Sequence, residues 1–154
     1  MAIEEGKAAP LFTLPDQNGE KVALKELKGK TVVVYFYPKD DTPGCTKEAC
    51  GFRDLWSEIE ATGAIVLGVS PDEVSSHDAF AAKYSLPFRL LADPTRKVME
   101  KYDAWGEKTM YGKKSFGVIR STVIVGADGK VRKHYKRVSR AADHPAKVLE
   151  ALQS

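Results

Sequence analysis

The sequence contains no apolar run close to the roughly 18 residues that a membrane-spanning helix needs. Its first ten residues also lack the apolar stretch of a secretory signal. No repeat, low-complexity tract or Pro/Ser-rich linker interrupts the 154 residues, of which 43% are hydrophobic. We therefore expect one cytoplasmic domain over residues 1–154, large enough to bury its own core.

Net charge is also low, because 24 Lys and Arg face 21 Asp and Glu, which leaves +3. The excess lies in residues 130–154, where basic side chains alternate with others. Such a segment could meet phosphates, but Tyr135 is its only aromatic residue for stacking on bases. Alternating basic residues are also typical of a solvated edge strand. We expect an edge strand there and no nucleic-acid partner.

Cysteine is scarce, and the two that are present, Cys45 and Cys50, are too few for a secreted disulfide scaffold. Four residues separate them, whereas a thioredoxin-type redox motif has two. The count alone leaves redox chemistry and core packing open.

Hydrophobic patterns predict strands that alternate with helices. The predicted strands are an N-terminal hairpin at 11–14 and 21–24, buried strands at 31–37 and 64–69, a short strand at 88–91, and a hairpin at 121–125 and 131–138. The predicted helices run through 52 to about 61, and over 74–84, 95–102 and 145–152, while 105–117 reads as irregular. This order predicts an α/β sandwich with a mixed central sheet.

The loop of residues 38–44 follows a buried strand and precedes a helix, the position where open α/β sheets usually bind ligands. Thr42 and Pro43 have the form of an N-cap and a first helical residue, which places Cys45 in the first turn. Free backbone N–H groups and the helix dipole favour a thiolate there. The alternative is that Cys45 is an inert small residue in a tight turn.

Cys50 cannot reach Cys45 across an intact helix. Five residues along a helix separate the two Cα atoms by roughly 8.7 Å, and a disulfide requires about 7 Å or less. If the two pair, the first turns must unwind, and Gly51 lowers the cost of opening by about 1 kcal/mol relative to alanine.

Metal binding is a competing use of the thiols, with His77, His134 and His144 as further ligands. The three histidines fall on a predicted helix, a hairpin strand and a loop, whereas structural zinc sites use closely spaced pairs of ligands. We expect surface histidines and no metal.

The segment Pro38, Thr42 and Cys45 resembles the peroxiredoxin active-site loop, with proline, three residues, threonine, two residues, and cysteine. Cys50, five positions on, resembles the second cysteine of the peroxiredoxin Q group, also called bacterioferritin comigratory protein. Other segments that resemble the family, in its order, are residues 14–19, 35–38, 105–108 and 117–122.

The resemblance implies a thioredoxin-like fold and reduction of hydrogen peroxide and organic hydroperoxides, with no metal, flavin or haem cofactor. It implies that Cys45 attacks the peroxide as a thiolate and becomes a sulfenic acid, which Cys50 resolves to a disulfide. Thioredoxin or a similar dithiol protein would then reduce the disulfide. A monomer or weak homodimer is the implied assembly.

The same resemblance assigns supporting roles around the sulfur. Thr42 would hydrogen-bond the peroxide, Pro38 would shield the sulfur from water, and Arg120 would stabilise the thiolate and orient the attacked oxygen. Glu48 matches a family position that braces an arginine. Without the family pattern, Arg120 and Glu48 would read as surface residues.

Two further functions fit the pair of cysteines. One is a protein disulfide reductase on the same fold, although the four-residue spacing argues against it. The other is a redox sensor or chaperone-like protein in which helix opening exposes Phe52, Leu55 or Trp56.

Overall fold

The computed structural model describes residues 3–154. Its strands are β1 (Thr13–Pro15), β2 (Lys21–Ala23), β3 (Val32–Phe36), β4 (Ile65–Ser70), β5 (Arg89–Ala92), β6 (Trp105–Met110), β7 (Lys113–Val118), β8 (Ser121–Val125) and β9 (Val131–Tyr135). Its α-helices are α1 (Pro43–Asp54), α2 (Trp56–Ala61), α3 (Val74–Tyr84), α4 (Lys97–Lys101) and α5 (His144–Gln153), and Leu24–Leu27 form a 3-10 helix.

The central sheet has five strands in the order β5-β4-β3-β8-β9. β3 pairs in parallel with β4, and β4 with β5, whereas β8 runs antiparallel to both β3 and β9. The predicted mixed sheet is therefore confirmed. The basic strand β9 lies at one edge, as its alternating charges predict, and β1 and β2 form the predicted N-terminal hairpin.

Both faces of the sheet are covered, which explains why β3 is buried over its whole length. On one face, Val33 and Tyr35 pack with Phe52 of α1, Phe80 of α3 and Val148 of α5. On the other face, the alternate strand residues pack with the N-terminal hairpin and with Met99 and Tyr102 at α4. The loop at residues 38–42 leads from the C-terminal end of β3 to α1.

The prediction of an irregular segment at 105–117 is wrong, because β6 and β7 form an antiparallel hairpin there. Its turn lies at Tyr111 and Gly112, both with positive φ (53° and 78°), as a two-residue type I′ turn requires. Tyrosine is uncommon in such a turn, and glycines and lysines hide the alternation of the strands.

The predicted helix that ends near residue 61 is two helices rather than one. Leu55, with φ −99° and ψ 9°, leaves the helical conformation and separates α1 from α2. The predicted helix at 95–102 is also shorter, because Arg96 has a positive φ of 62° and α4 begins after it. None of the helices in residues 3–154 has the length and apolarity that crossing a membrane requires.

Gly51 of α1 faces Pro145 of α5 at close range. A Cβ atom built on Gly51 would stand 2.7 Å from Cγ of Pro145, the second residue of α5. Real Cβ atoms do not come this close to another heavy atom, and the proline ring cannot rotate away. Glycine is therefore required at this position by packing between the two helices.

We expect Gly51→Ala to lower the free energy of unfolding by about 1 kcal/mol. Overpacking costs about 1–3 kcal/mol, which outweighs the ~1 kcal/mol that alanine gains in helix propensity. Pro145→Ala removes Cγ, the atom at 2.7 Å, so the double variant should recover part of the loss in urea unfolding. Strictly additive effects of the two substitutions would contradict this packing argument.

Candidate active site

Cys45 is the third residue of α1 and is almost fully buried, at 1% exposure. Pro43 occupies the start of the helix, and Thr42 stands at the N-cap position with extended backbone angles, as the sequence predicts. The Thr42 hydroxyl, however, does not cap the helix; it donates to the Lys39 carbonyl oxygen at 2.8 Å. The oxygen lone pairs of Thr42 consequently stay available to accept a hydrogen bond.

Arg120 lies immediately before β8 and reaches the sulfur of Cys45. Its Nη2 is 3.2 Å from Cys45 Sγ, and its Nη1 donates to Glu48 Oε1 at 2.7 Å. Gly44 gives room for this approach, because a Cβ on Gly44 would stand 3.2 Å from Nη2, which is a tight contact. The guanidinium, with a side chain 17% exposed, is thus held by a carboxylate on one side and faces the sulfur on the other.

Glu48 lies one turn after Cys45 on α1, and its side chain is fully buried. Burial raises the pKa of Glu48 from 4.5 to about 7, and Arg120 offsets part of that rise. Its second oxygen, Oε2, has no hydrogen-bond partner within residues 3–154. A buried carboxylate is tolerated here because the arginine neutralises it.

The remaining predicted site residues flank this cluster. Pro38 follows β3 and is half-buried at the start of the loop that ends at Thr42. Cys50 lies further along α1, is also half-buried, and carries a free thiol like Cys45. The structure therefore brings Cys45, Glu48 and Arg120 into contact and leaves Cys50 on the same intact helix.

Two histidines expected at the surface are buried instead, so that prediction is wrong. His77 is fully buried on α3, with Nδ1 2.7 Å from Asp40 Oδ2 and Nε2 2.8 Å from the Leu91 carbonyl oxygen. The spacing offered a signal, since His77 falls three residues before Phe80, on the apolar face of its helix.

His144, at the start of α5, is the second buried histidine, with 3% exposure. Its Nε2 lies 2.8 Å from Thr122 Oγ1, and its ring packs edge-on against Tyr135 and Phe52. Burial lowers the pKa of His144 from 6.5 to about 4, and the positive charges of Lys147 and Arg120 act in the same direction. The imidazole is therefore neutral at physiological pH.

One group of potential metal ligands occurs among residues 3–154, and it contains neither cysteine. Asp40, Asp72 and His77 place one ligand atom each within 4.8 Å of one another. Their atoms are already engaged: both nitrogens of His77 have partners, and Asp72 Oδ2 accepts from Ser70 and from the Asp40 backbone. A metal ion would have to displace these hydrogen bonds, so the geometry favours a structural role.

The raised pKa of Glu48 predicts a specific pH dependence of folding. Between pH 4.5 and about 7 the folded protein binds more protons at Glu48 than the unfolded chain does. The contribution of Glu48 to the free energy of unfolding is therefore complete below pH 4.5, and it is lost as the pH rises through about 7. The full shift corresponds to about 3 kcal/mol.

Glu48→Gln keeps an acceptor for Arg120 and removes the titration. His144 changes the stability with pH in the opposite direction. Because its pKa is lowered, its contribution to the free energy of unfolding is complete above pH 6.5 and is lost as the pH falls through about 4. The wild type and Glu48→Gln both contain His144. The difference between their free energies of unfolding in urea therefore reports the titration of Glu48. The wild type should lose stability relative to the variant from pH 4.5 to 8, and a flat difference would refute the assignment.

Comparison with known proteins places this site in a family. The AhpC/TSA family model matches residues 6–134. Peroxiredoxin Bcp of Bacillus subtilis (strain 168) is 43% identical over 153 residues, which cover 99% of this chain and 97% of the relative.

Solved structures give the same result. Xanthomonas campestris peroxiredoxin Q superposes with a TM-score of 0.87 at 40% identity, over 92% of this chain and 89% of that chain. The bacterioferritin comigratory protein of the same organism gives 0.90 at 37% identity, over 97% and 98%. The predicted thioredoxin-like fold is confirmed, and the chain belongs to the AhpC/TSA family, in the peroxiredoxin Q or bacterioferritin comigratory protein group of thiol peroxidases.

Proposed function

We propose that the protein reduces hydrogen peroxide and organic hydroperoxides with Cys45 as the attacking thiolate and Cys50 as the resolving thiol. The observation that carries this proposal is the contact of Arg120 Nη2 with Cys45 Sγ at 3.2 Å, fixed from behind by Glu48. The X. campestris bacterioferritin comigratory protein is described with an alkyl peroxide reduction activity, which supports organic hydroperoxides as substrates.

In the first step the Cys45 thiolate attacks one oxygen of the peroxide and the O–O bond breaks. The sulfur is oxidised to a sulfenic acid, and the other oxygen leaves as hydroxide or alkoxide, which takes up a proton to give water or an alcohol. Arg120 contributes by a positive charge beside the thiolate and by N–H donors for the oxygen on which negative charge develops.

Thr42 and Pro38 would complete the peroxide site. The hydrogen of the Thr42 hydroxyl is bonded to the Lys39 carbonyl, so its oxygen can accept the peroxide O–H. Pro38, half-buried at the end of β3, would limit the access of water to the sulfur. Both residues thereby favour attack by the thiolate on a bound and oriented peroxide.

In the second step the Cys50 sulfur attacks the Cys45 sulfenic acid, an S–S bond forms, and water leaves. The two thiols share an intact helix, and its geometry keeps their Cα atoms about 8.7 Å apart, so α1 must open first. A dithiol protein, thioredoxin or one like it, then reduces the disulfide by thiol–disulfide exchange. We place this cycle in the cytoplasm and in a domain that extends over residues 1–154.

Substitution of each cysteine should separate the two roles. Cys45→Ser should abolish peroxide consumption measured by NADPH oxidation with thioredoxin and its reductase. Cys50→Ser should still consume one equivalent of peroxide but lose sustained turnover with thioredoxin, or depend on another thiol. Peroxide turnover by Cys45→Ser, or insulin disulfide reduction faster than peroxide reduction, would overturn the proposal.

Arg120→Gln should lower kcat/KM for hydrogen peroxide by about 10²-fold, as removal of one oxyanion donor does in other enzymes. Arg120→Lys keeps the positive charge but lacks the forked donors, so its kcat/KM should lie between those of the wild type and Arg120→Gln. Arg89→Gln, which removes an arginine paired with Asp16, serves as the matched control and should stay within twofold. Equal rates for wild type and Arg120→Gln would show that the guanidinium does not take part.

A further inference from the structure

The loop of residues 38–42, which carries Pro38 and Thr42, is attached to α3 through two neighbouring carboxylates. Asp40 points inward and is buried, whereas Asp41 points outward and bonds to Lys83 Nζ at 2.7 Å and to the Tyr84 hydroxyl at 2.8 Å. The role proposed above uses neither residue. The buried contacts of Asp40 hold the loop more firmly than the exposed contacts of Asp41, because solvent screens the charges at Asp41.

The Asp40 side chain takes part in three hydrogen bonds in an enclosed site. The Tyr37 hydroxyl donates to Oδ1 at 2.6 Å, and Oδ2 lies 2.8 Å from Ser76 Oγ and 2.7 Å from His77 Nδ1. The backbone N–H of Asp40 donates to Asp72 Oδ2 at 2.8 Å. Side chain and backbone of this one residue are therefore both fixed to the segment that contains α3.

His77 extends the attachment into the sheet. Its Nε2 faces the Leu91 carbonyl oxygen at 2.8 Å and must carry a hydrogen, because a carbonyl can only accept. Its Nδ1 lies 2.7 Å from Asp40 Oδ2, and both side chains are buried. Removal of either partner would leave a buried polar group without compensation.

α3 also holds the far end of α1. Nη1 of Arg53 donates to the Tyr84 carbonyl oxygen at 2.8 Å, near the C-terminal end of both helices. The segment between Asp40 and Arg53 contains both cysteines, and each of its ends is attached to α3. The part of α1 that must open is thus bounded by two fixed points.

We propose that Asp40 and His77 are positioning residues, which hold the 38–42 loop in its peroxide-binding geometry. The inference rests on the proposed function. It assigns the pair to the first step alone, because Pro38 and Thr42 must stand in place when the peroxide binds. Disulfide formation takes place in the opened helix and does not need the loop geometry.

Two variants disturb the contacts of Asp40 and His77 to different extents. Tyr37→Phe keeps the buried ring and removes one donor to Asp40, and should lower kcat/KM for hydrogen peroxide by about tenfold. His77→Asn removes the link to β5 and should lower it by about 10²-fold, the loss that a displacement of about 1 Å causes at other active sites. Asp41→Asn, the matched substitution of the exposed neighbouring carboxylate, should lose less than threefold.

Stopped-flow tryptophan fluorescence, to which Trp56 at the start of α2 contributes, can separate the steps in the reduced wild-type and variant proteins. The rate of the first phase should rise with peroxide concentration, and that of the second phase, disulfide formation, should not. The proposal expects a slower first phase with an unchanged second phase. A first phase within twofold of wild type, or equal slowing of both phases, would overturn it.

Urea unfolding of each variant is the control that shows whether the variant is folded. If His77→Asn does not fold, Tyr37→Phe, which retains the packing of the ring, decides the outcome. A wild-type protein with no Cys45-dependent phase would refute the proposed function itself, and this result is distinct from any result with the loop variants.

Discussion

One guanidinium holds the site together, because Arg120 spans the gap between the Cys45 sulfur and the Glu48 carboxylate. Each group would be unfavourable alone in this buried position: the carboxylate lacks water, and the arginine would lack a counter-charge. Together they form a chain in which opposite charges meet at 2.7 Å and the remaining donors face the sulfur. The register of α1, the bare Cα of Gly44 and the turn before β8 all serve this arrangement.

The same requirement explains the unusual Glu48. A carboxyl whose pKa is about 7 can still hold Arg120 as a charged partner above neutral pH and as a neutral acceptor below it. In the proposed cycle, the helix that carries this residue opens for Cys50 to reach Cys45. Such an opening would separate Glu48 from Arg120, which the intact helix holds together at 2.7 Å. The site is complete only while the helix is intact.

How far the sequence predicts this molecule depends on the kind of residue. The central strands follow from β-branched runs, and α3 follows from apolar periodicity, because burial on both faces leaves few alternatives. The β6–β7 hairpin does not follow from the sequence, because its turn places Tyr111 at a positive φ, which tyrosine rarely adopts. The burial of His77 contradicts the expectation of a surface histidine, although the residue lies on the apolar face of its helix.

The site residues divide in the same way. Cys45 is found from its place at a helix start, which is local information. Arg120 is 75 residues away, and only the family pattern singled it out, because tertiary contacts between distant segments leave no periodic trace. The attachment of Asp40 to α3 was likewise invisible, since its partners lie 36 and 37 residues further on.

The pairing of β3 with β8 has a consequence that reaches beyond the sheet. Phe36 stands opposite Ser121, so the end of β3 that leads to Cys45 adjoins the start of β8 that follows Arg120. A slip of one residue would move the arginine by about 3.3 Å and turn alternate side chains to the other face. Strand register therefore sets the distance between sulfur and guanidinium, and core residues far from either group determine whether the two can meet.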